Sequence, residues 1–235
     1  MSAHGAIAPI MLKSKFTGPE EKIRVGSARL EALGDGVFAV AMTLLVLELK
    51  VPEWESGVTN ALIWEHLKHV APSFFSFALS FAVLGIMWFA HRMEHVFIGA
   101  VNRKLIWLNM LFYGFICLVP FSAALLGRYP DVQLVILIYG ANLILAIAFL
   151  FWIWSYGTSL PGLREREVPP ELRQVINVLF ALAPTLYIVA ILLSFIEPVW
   201  GFYCYLLTPF LYFIPTPIDR YMPAKTGGSK GGTDR

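Results

Sequence analysis

From Val132 to Tyr156 the chain reads VQLVILIYGANLILAIAFLFWIWSY, twenty-five residues without one charged side chain. About 20 such residues cross the hydrocarbon core of a bilayer as a helix, whereas a buried strand uses only about four to eight. Similar stretches recur near residues 30–50, 70–92, 104–126, 174–196 and 199–218. The chain is therefore expected to be an all-α integral membrane protein of six transmembrane helices. The last span is the weakest, because Pro209, Pro215 and Pro217 interrupt it. Composition agrees: of 235 residues 57% are hydrophobic and 14% charged, against about 25% charged in an ordinary soluble domain. Three segments follow: a cytoplasmic N-terminal segment over 1–28, a membrane domain over 29–218, and a disordered cytoplasmic tail over 219–235.

The basic residues set the orientation. Counting connections alternately, one side collects Lys13, Lys15, Lys22, Arg24 and Arg29, then Arg92, Arg103 and Lys104, then Arg164, Arg166 and Arg173, then Arg220, Lys225, Lys230 and Arg235. Only Lys50, Lys68 and Arg128 fall on the other side. Both termini are thus expected in the cytoplasm. The first outer connection, 51–69, carries Trp54 and Trp64 and reads as a segment lying in the interface.

The first span, RLEALGDGVFAVAMTLLVLELKVP from Arg29 to Pro52, holds an acid near its start and a threonine near its middle. At 100° per residue, Gly36, Val40, Thr43, Leu44 and Leu47 share a stripe about 100° wide, with Asp35 and Phe38 pointing elsewhere. Two readings fit the stripe. It can pack against another span, or it can line a pore with one helix from each subunit, the aliphatic rings forming a dewetting constriction.

Asp35 is costly inside a span unless it is paired. Arg29, six residues earlier, is about 120° away around the helix and is not its obvious partner. Trp88 and His91 near the end of the second span, and Asn109 near the start of the third, lie at a similar depth. Arg29, Asp35, Trp88, His91 and Asn109 are expected to form a polar network joining three helices. Glu94 reads as a solvated interfacial acid.

Other chemistries find little footing. His91 with His95, and His66 with His69, have spacings that can seat a metal, but the pairs fall on opposite sides of the membrane, so no metal site is expected. No nucleophile–base set, phosphate loop or cofactor motif is present, and the chain is not expected to be an enzyme. A net charge of +2 gives no footprint for nucleic acid. Cys117 and Cys204 lie in apolar runs and suggest no disulfide framework. A secondary transporter of small solutes or ions is the alternative to a channel, although the midplane of the first span offers only Thr43 as a polar group.

Three stretches carry a resemblance: the first span, the segment MWFAHRMEHVF closing the second, and LIWLNMLFYGFICLVPFSAALL in the third. Together they resemble the endolysosomal potassium channel family, transmembrane protein 175, and its bacterial relatives, whose signature is R-x-x-x-F-S-D followed by an apolar helix. The likeness covers residues 29–126, and the remainder only in span count. It implies a homotetrameric, potassium-permeable cation channel in the cell membrane, with the first helix lining the pore. Its surroundings would be the lipid bilayer, and its substrates potassium and other monovalent cations. Potassium would be the permeant ion, with no cofactor. The resemblance further implies a hydrophobic constriction at Val40, Leu44 and Leu47, a layer at Thr43 that influences selectivity, and structural roles for Arg29 and Asp35. Leu33 and Gly34 stand where the motif has Phe and Ser, and Val40 stands where a larger aliphatic is usual.

Overall fold

A computed structural model describes residues 25–52 and 57–212. The expected tail over 219–235, most of the segment over 1–28, and Trp54 lie outside the described residues. Among the described residues seven α-helices follow one another: α1 (Ala28–Leu44), α2 (Asn60–His69), α3 (Ala71–Phe97), α4 (Arg103–Arg128), α5 (Gln133–Ser159), α6 (Pro170–Ser194) and α7 (Pro198–Leu207). A 3₁₀ turn over Leu45–Glu48 extends α1, and another over Thr208–Tyr212 follows α7.

The helix starts follow local chemistry. The side chain of Asn102 accepts from the amide of Leu105 at the start of α4, and Thr59 accepts from that of Leu62 at the start of α2. Prolines stand in the first turns of α3, α6 and α7, where a missing N–H costs nothing. Pro120 and Pro184 lie inside α4 and α6, as spans packed by neighbours tolerate.

Five segments among the described residues are long and apolar enough to cross a membrane: Ala28–Glu48, Ala71–Phe97, Arg103–Arg128, Gln133–Ser159 and Pro170–Ser194. They match the first five expected spans, with α3 running on to Phe97 and α6 starting earlier, at Pro170. The sixth expected span differs. α7 gives way at Thr208 to the 3₁₀ turn that contains Pro209, and residues 213–218 lie outside the described residues. The connection over 51–69 contains α2, a short helix with no buried residue.

α5 is the centre of the bundle. It is apolar all round and buries residues along its whole length, from Val135 to Thr158, and it packs on α4 and on α6. Polar cross-links sit within this apolar body. Ser80 and Tyr139 share a hydrogen bond of 3.1 Å, and the Tyr205 hydroxyl of α7 donates to the Ile136 carbonyl of α5 at 2.8 Å. At one end, Val25–Gly26 pairs antiparallel with Ala100–Val101, and Leu163 and Phe97 carbonyls bind the amides of Gly99 and Glu165. The lead into α1, the α3–α4 connection and the α5–α6 connection are thereby tied together at that end. At the other, Arg128 of α4 holds Glu48 at 2.8 Å.

α1 touches only α3 and α4 substantially, and its buried residues are Leu30, Gly34, Phe38 and Ala41. A Cβ at Gly140 would collide with the Tyr205 hydroxyl and press on Ile191. Gly140→Val should therefore separate α5 from α7 and cost about 1–3 kcal/mol, read as a lowered thermal midpoint in detergent.

Candidate pore face and polar network

The α1 stripe is turned away from the rest of its own chain. Val40, Leu44 and Leu47 are 57%, 43% and 64% exposed, and Gly36 and Thr43 are exposed beside them. On the opposite face Phe38 and Leu45 are buried. The stripe is therefore not a packing surface within the described chain. Val40 and Leu44 lie one α-turn apart, whereas Leu47 lies in the 3₁₀ turn. Three residues complete a 3₁₀ turn, so Leu47 stands in line with Leu44 more closely than a continuous α-helix would place it. The Thr43 hydroxyl donates back to the carbonyls of Ala39 and Val40, both at 2.9 Å. Its proton is used within the helix, and its lone pairs remain free on the exposed side.

The polar residues separate into two groups joined through α3. In the outer group, the Trp88 indole N–H donates to the Asp35 carboxylate at 2.8 Å, and Arg92 stands 3.9 Å from the other carboxylate oxygen. Both charged side chains are about half exposed, so that pair contributes at most about 1 kcal/mol. The inner group is buried. His91 Nε2 lies 2.9 Å from Asn109 Oδ1, and the Asn109 amide donates to the Leu105 carbonyl at 2.8 Å. With the amide nitrogen so engaged, the imidazole is the donor to Oδ1. His95 Nδ1 donates to the His91 carbonyl at 2.9 Å. Arg29 is exposed, and none of these bonds includes it.

Tyr113 is the member that sequence reasoning missed. Its hydroxyl donates to the Leu30 carbonyl of α1 at 3.0 Å and lies 3.2 Å from His91 Nε2. The available signal was its position one turn after Asn109 on the same face of α4. Glu94 also departs from expectation. It is only 3% exposed, and its carboxyl has no hydrogen-bond partner among the described residues. It borders a cavity of about 710 Å³ between α3, α5 and α6, yet both oxygens are closed off even from that space. His91 and His95 have no third ligating side chain near them, and no group able to hold a metal occurs among the described residues.

Comparison with known proteins gives this geometry a context. Residues 29–120 match the model of the family described as the endosomal/lysosomal potassium channel TMEM175. A potassium channel from Chamaesiphon minutus is 34% identical over 178 residues, covering 74% of this chain and 86% of its own. The chain belongs to the TMEM175 potassium channel family. A Streptomyces collinus potassium channel is 31% identical over 176 residues, covering 73% of this chain and 84% of its own. The crystal structure of a lysosomal potassium-selective TMEM175 homolog from Chamaesiphon minutus superposes with a TM-score of 0.66 at 25% identity, over 79% of this chain and 95% of that one. The family and these relatives are described as ion channels, not enzymes, and the two bacterial relatives are named as potassium channels, which makes potassium a permeant ion and not a cofactor.

The two polar groups predict different costs. Asn109→Ala removes the nearer acceptor of the buried His91 N–H, leaving only the Tyr113 oxygen at 3.2 Å, and should cost about 1–3 kcal/mol. Asp35→Ala removes half-exposed contacts and should cost about 1 kcal/mol or less. Thermal unfolding of the two variants in detergent checks the order; a larger loss for Asp35→Ala contradicts it.

Proposed function

We propose that this TMEM175 family member is a homotetramer of the cell membrane, both termini in the cytoplasm, conducting potassium and other monovalent cations along the exposed face of α1. The observation that carries the reading is the uncovered stripe of Val40, Thr43, Leu44 and Leu47 on a helix that its own chain supports from one side only. One helix cannot enclose an aqueous path, so several copies must meet around an axis. The α-turn followed by the 3₁₀ turn then stacks the aliphatic residues as successive rings. Such rings narrow and dewet the path, and they set the barrier to conduction. Thr43 is the polar layer between them. Its hydroxyl oxygen is turned away from the bundle, where it can replace part of an ion's hydration and influence selectivity. Asp35 and the buried groups behind it hold α1 in place without touching the ion. The transporter alternative has no support among the relatives, which are channels.

Assembly is tested by mass measurement in detergent or native lipid, where a tetramer is expected; a monomer that retains flux contradicts the proposal. The rings are tested by potassium flux into liposomes. Leu44→Ala and Leu47→Asn should raise flux, with stability changed by only about 0.5 kcal/mol because both side chains are exposed in the subunit. Were the stripe a packing surface, Leu→Ala would instead cost about 2–5 kcal/mol without a gain in flux. Thr43→Val should lower the preference for potassium over sodium, and Thr43→Ser, which keeps the hydroxyl, should preserve it.

A further inference from the structure

α4 comes close to α1 at Gly34. A Cβ built there would stand 2.6 Å from the Tyr113 hydroxyl oxygen, 3.0 Å from its ring carbon Cζ and 3.2 Å from His91 Cε1. Any side chain at position 34 competes with Tyr113 for the same space. The reason is the tilt of helical side chains towards the N-terminus, by which a residue covers the turn before it. In α1 the side chain at 34 would shade the carbonyl of Leu30, four residues earlier. Glycine leaves that carbonyl open, and the Tyr113 hydroxyl occupies the opening, donating to Leu30 O at 3.0 Å while lying 3.2 Å from His91 Nε2. The arrangement occurs a second time in the molecule. Gly140 leaves the Ile136 carbonyl open four residues back, and the Tyr205 hydroxyl donates to it at 2.8 Å.

We infer that Gly34 and Tyr113 are a matched pair, in which the phenol hydroxyl takes the place that a serine hydroxyl would hold at position 34, making Tyr113 a positioning residue for α1. Tyr113 reaches α1 through Leu30 and α3 through His91, and so fixes the distance of the stripe-bearing helix from the body of the subunit. The effect on conduction rests on the reading that α1 lines the path; the pairing itself does not.

Four full-length proteins decide the matter: the parent, Gly34→Ser, Tyr113→Phe and the double variant, each followed by thermal midpoint in detergent and potassium flux in liposomes. Each single change should lower the midpoint and shift flux by about threefold or more, the scale of one interhelical hydrogen bond in a membrane. The double variant, with a serine hydroxyl introduced and the phenol oxygen removed, should return flux to within about twofold of the parent and recover the midpoint. Independent single effects that simply multiply in the double variant overturn the pairing, as does a Tyr113→Phe protein indistinguishable from the parent. If Gly34→Ser alone yields no folded protein, a folded double variant supports the pairing and an unfolded one overturns it. Leu44→Ala in the parent serves as the separate control on the path. Recovery of the midpoint alongside an unresponsive Leu44→Ala leaves the pairing standing and removes the pore reading, whereas no recovery with a responsive Leu44→Ala removes the pairing alone.

Discussion

α1 is held from one side, and the hold is a small buried set of hydrogen bonds between three helices. Lipid tails are as apolar as leucine, so no hydrophobic force presses α1 onto its neighbours. Close packing and interhelical hydrogen bonds must do it instead. Leu30 lends a backbone carbonyl from α1, Tyr113 and Asn109 approach from α4, and His91 lies between them on α3. Phe38, 1% exposed, packs its ring beside His91 and Phe112 just above this set. One such bond in a membrane is worth about 0.6 kcal/mol on average, rarely more than about 1.7, so several members are needed to fix one helix. The exposed face of α1 depends on the others being satisfied behind it.

The same physics explains the distribution of polar groups through the bundle. In hydrocarbon each unpaired donor or acceptor costs several kcal/mol, and most buried polar side chains here have spent their bonds. Ser76 donates to the Ala123 carbonyl, and Thr158 to that of Trp154. The Glu94 carboxyl, the Trp154 indole, His95 Nε2 and the Asn142 side-chain oxygen stand apart, with no partner among the described residues. Glu94 and Trp154 flank the cavity between α3, α5 and α6. This region lies away from α1, and the single-sided anchoring of the stripe-bearing helix does not involve it.

Glycine placement opens the way for two tyrosine contacts between helices. In the interior of a helix, glycine costs about 1 kcal/mol relative to alanine. At Gly34 and Gly140 that cost is met by a tyrosine hydroxyl from another helix reaching a backbone carbonyl that any larger side chain would cover. Both contacts join helices far apart in sequence, α1 to α4 and α5 to α7.

The sequence by itself determined the class of molecule and most of its spans, because apolar length is a property of consecutive residues and the bilayer sets the length needed. It also determined which residues share a face of α1, since periodicity fixes azimuth, and it singled out Asp35, Trp88, His91 and Asn109 from the cost of polar groups at that depth. It could not say which neighbour the α1 stripe meets; periodicity allowed packing, the more common use of such a stripe, as well as a pore, and only the tertiary structure left that face open. Tertiary structure also divided the polar residues into a half-exposed pair at Asp35 and a buried set at His91, and it left Arg29 outside both. It buried Glu94, which sequence had placed in water, because α3 continues past the expected end of its span to Phe97. Tyr113 was the hardest member to find: its hydroxyl meets α1 only through the space left by Gly34, and that complementarity lies between residues seventy-nine positions apart. Local pattern reports length and face; the partner across the gap is decided by packing.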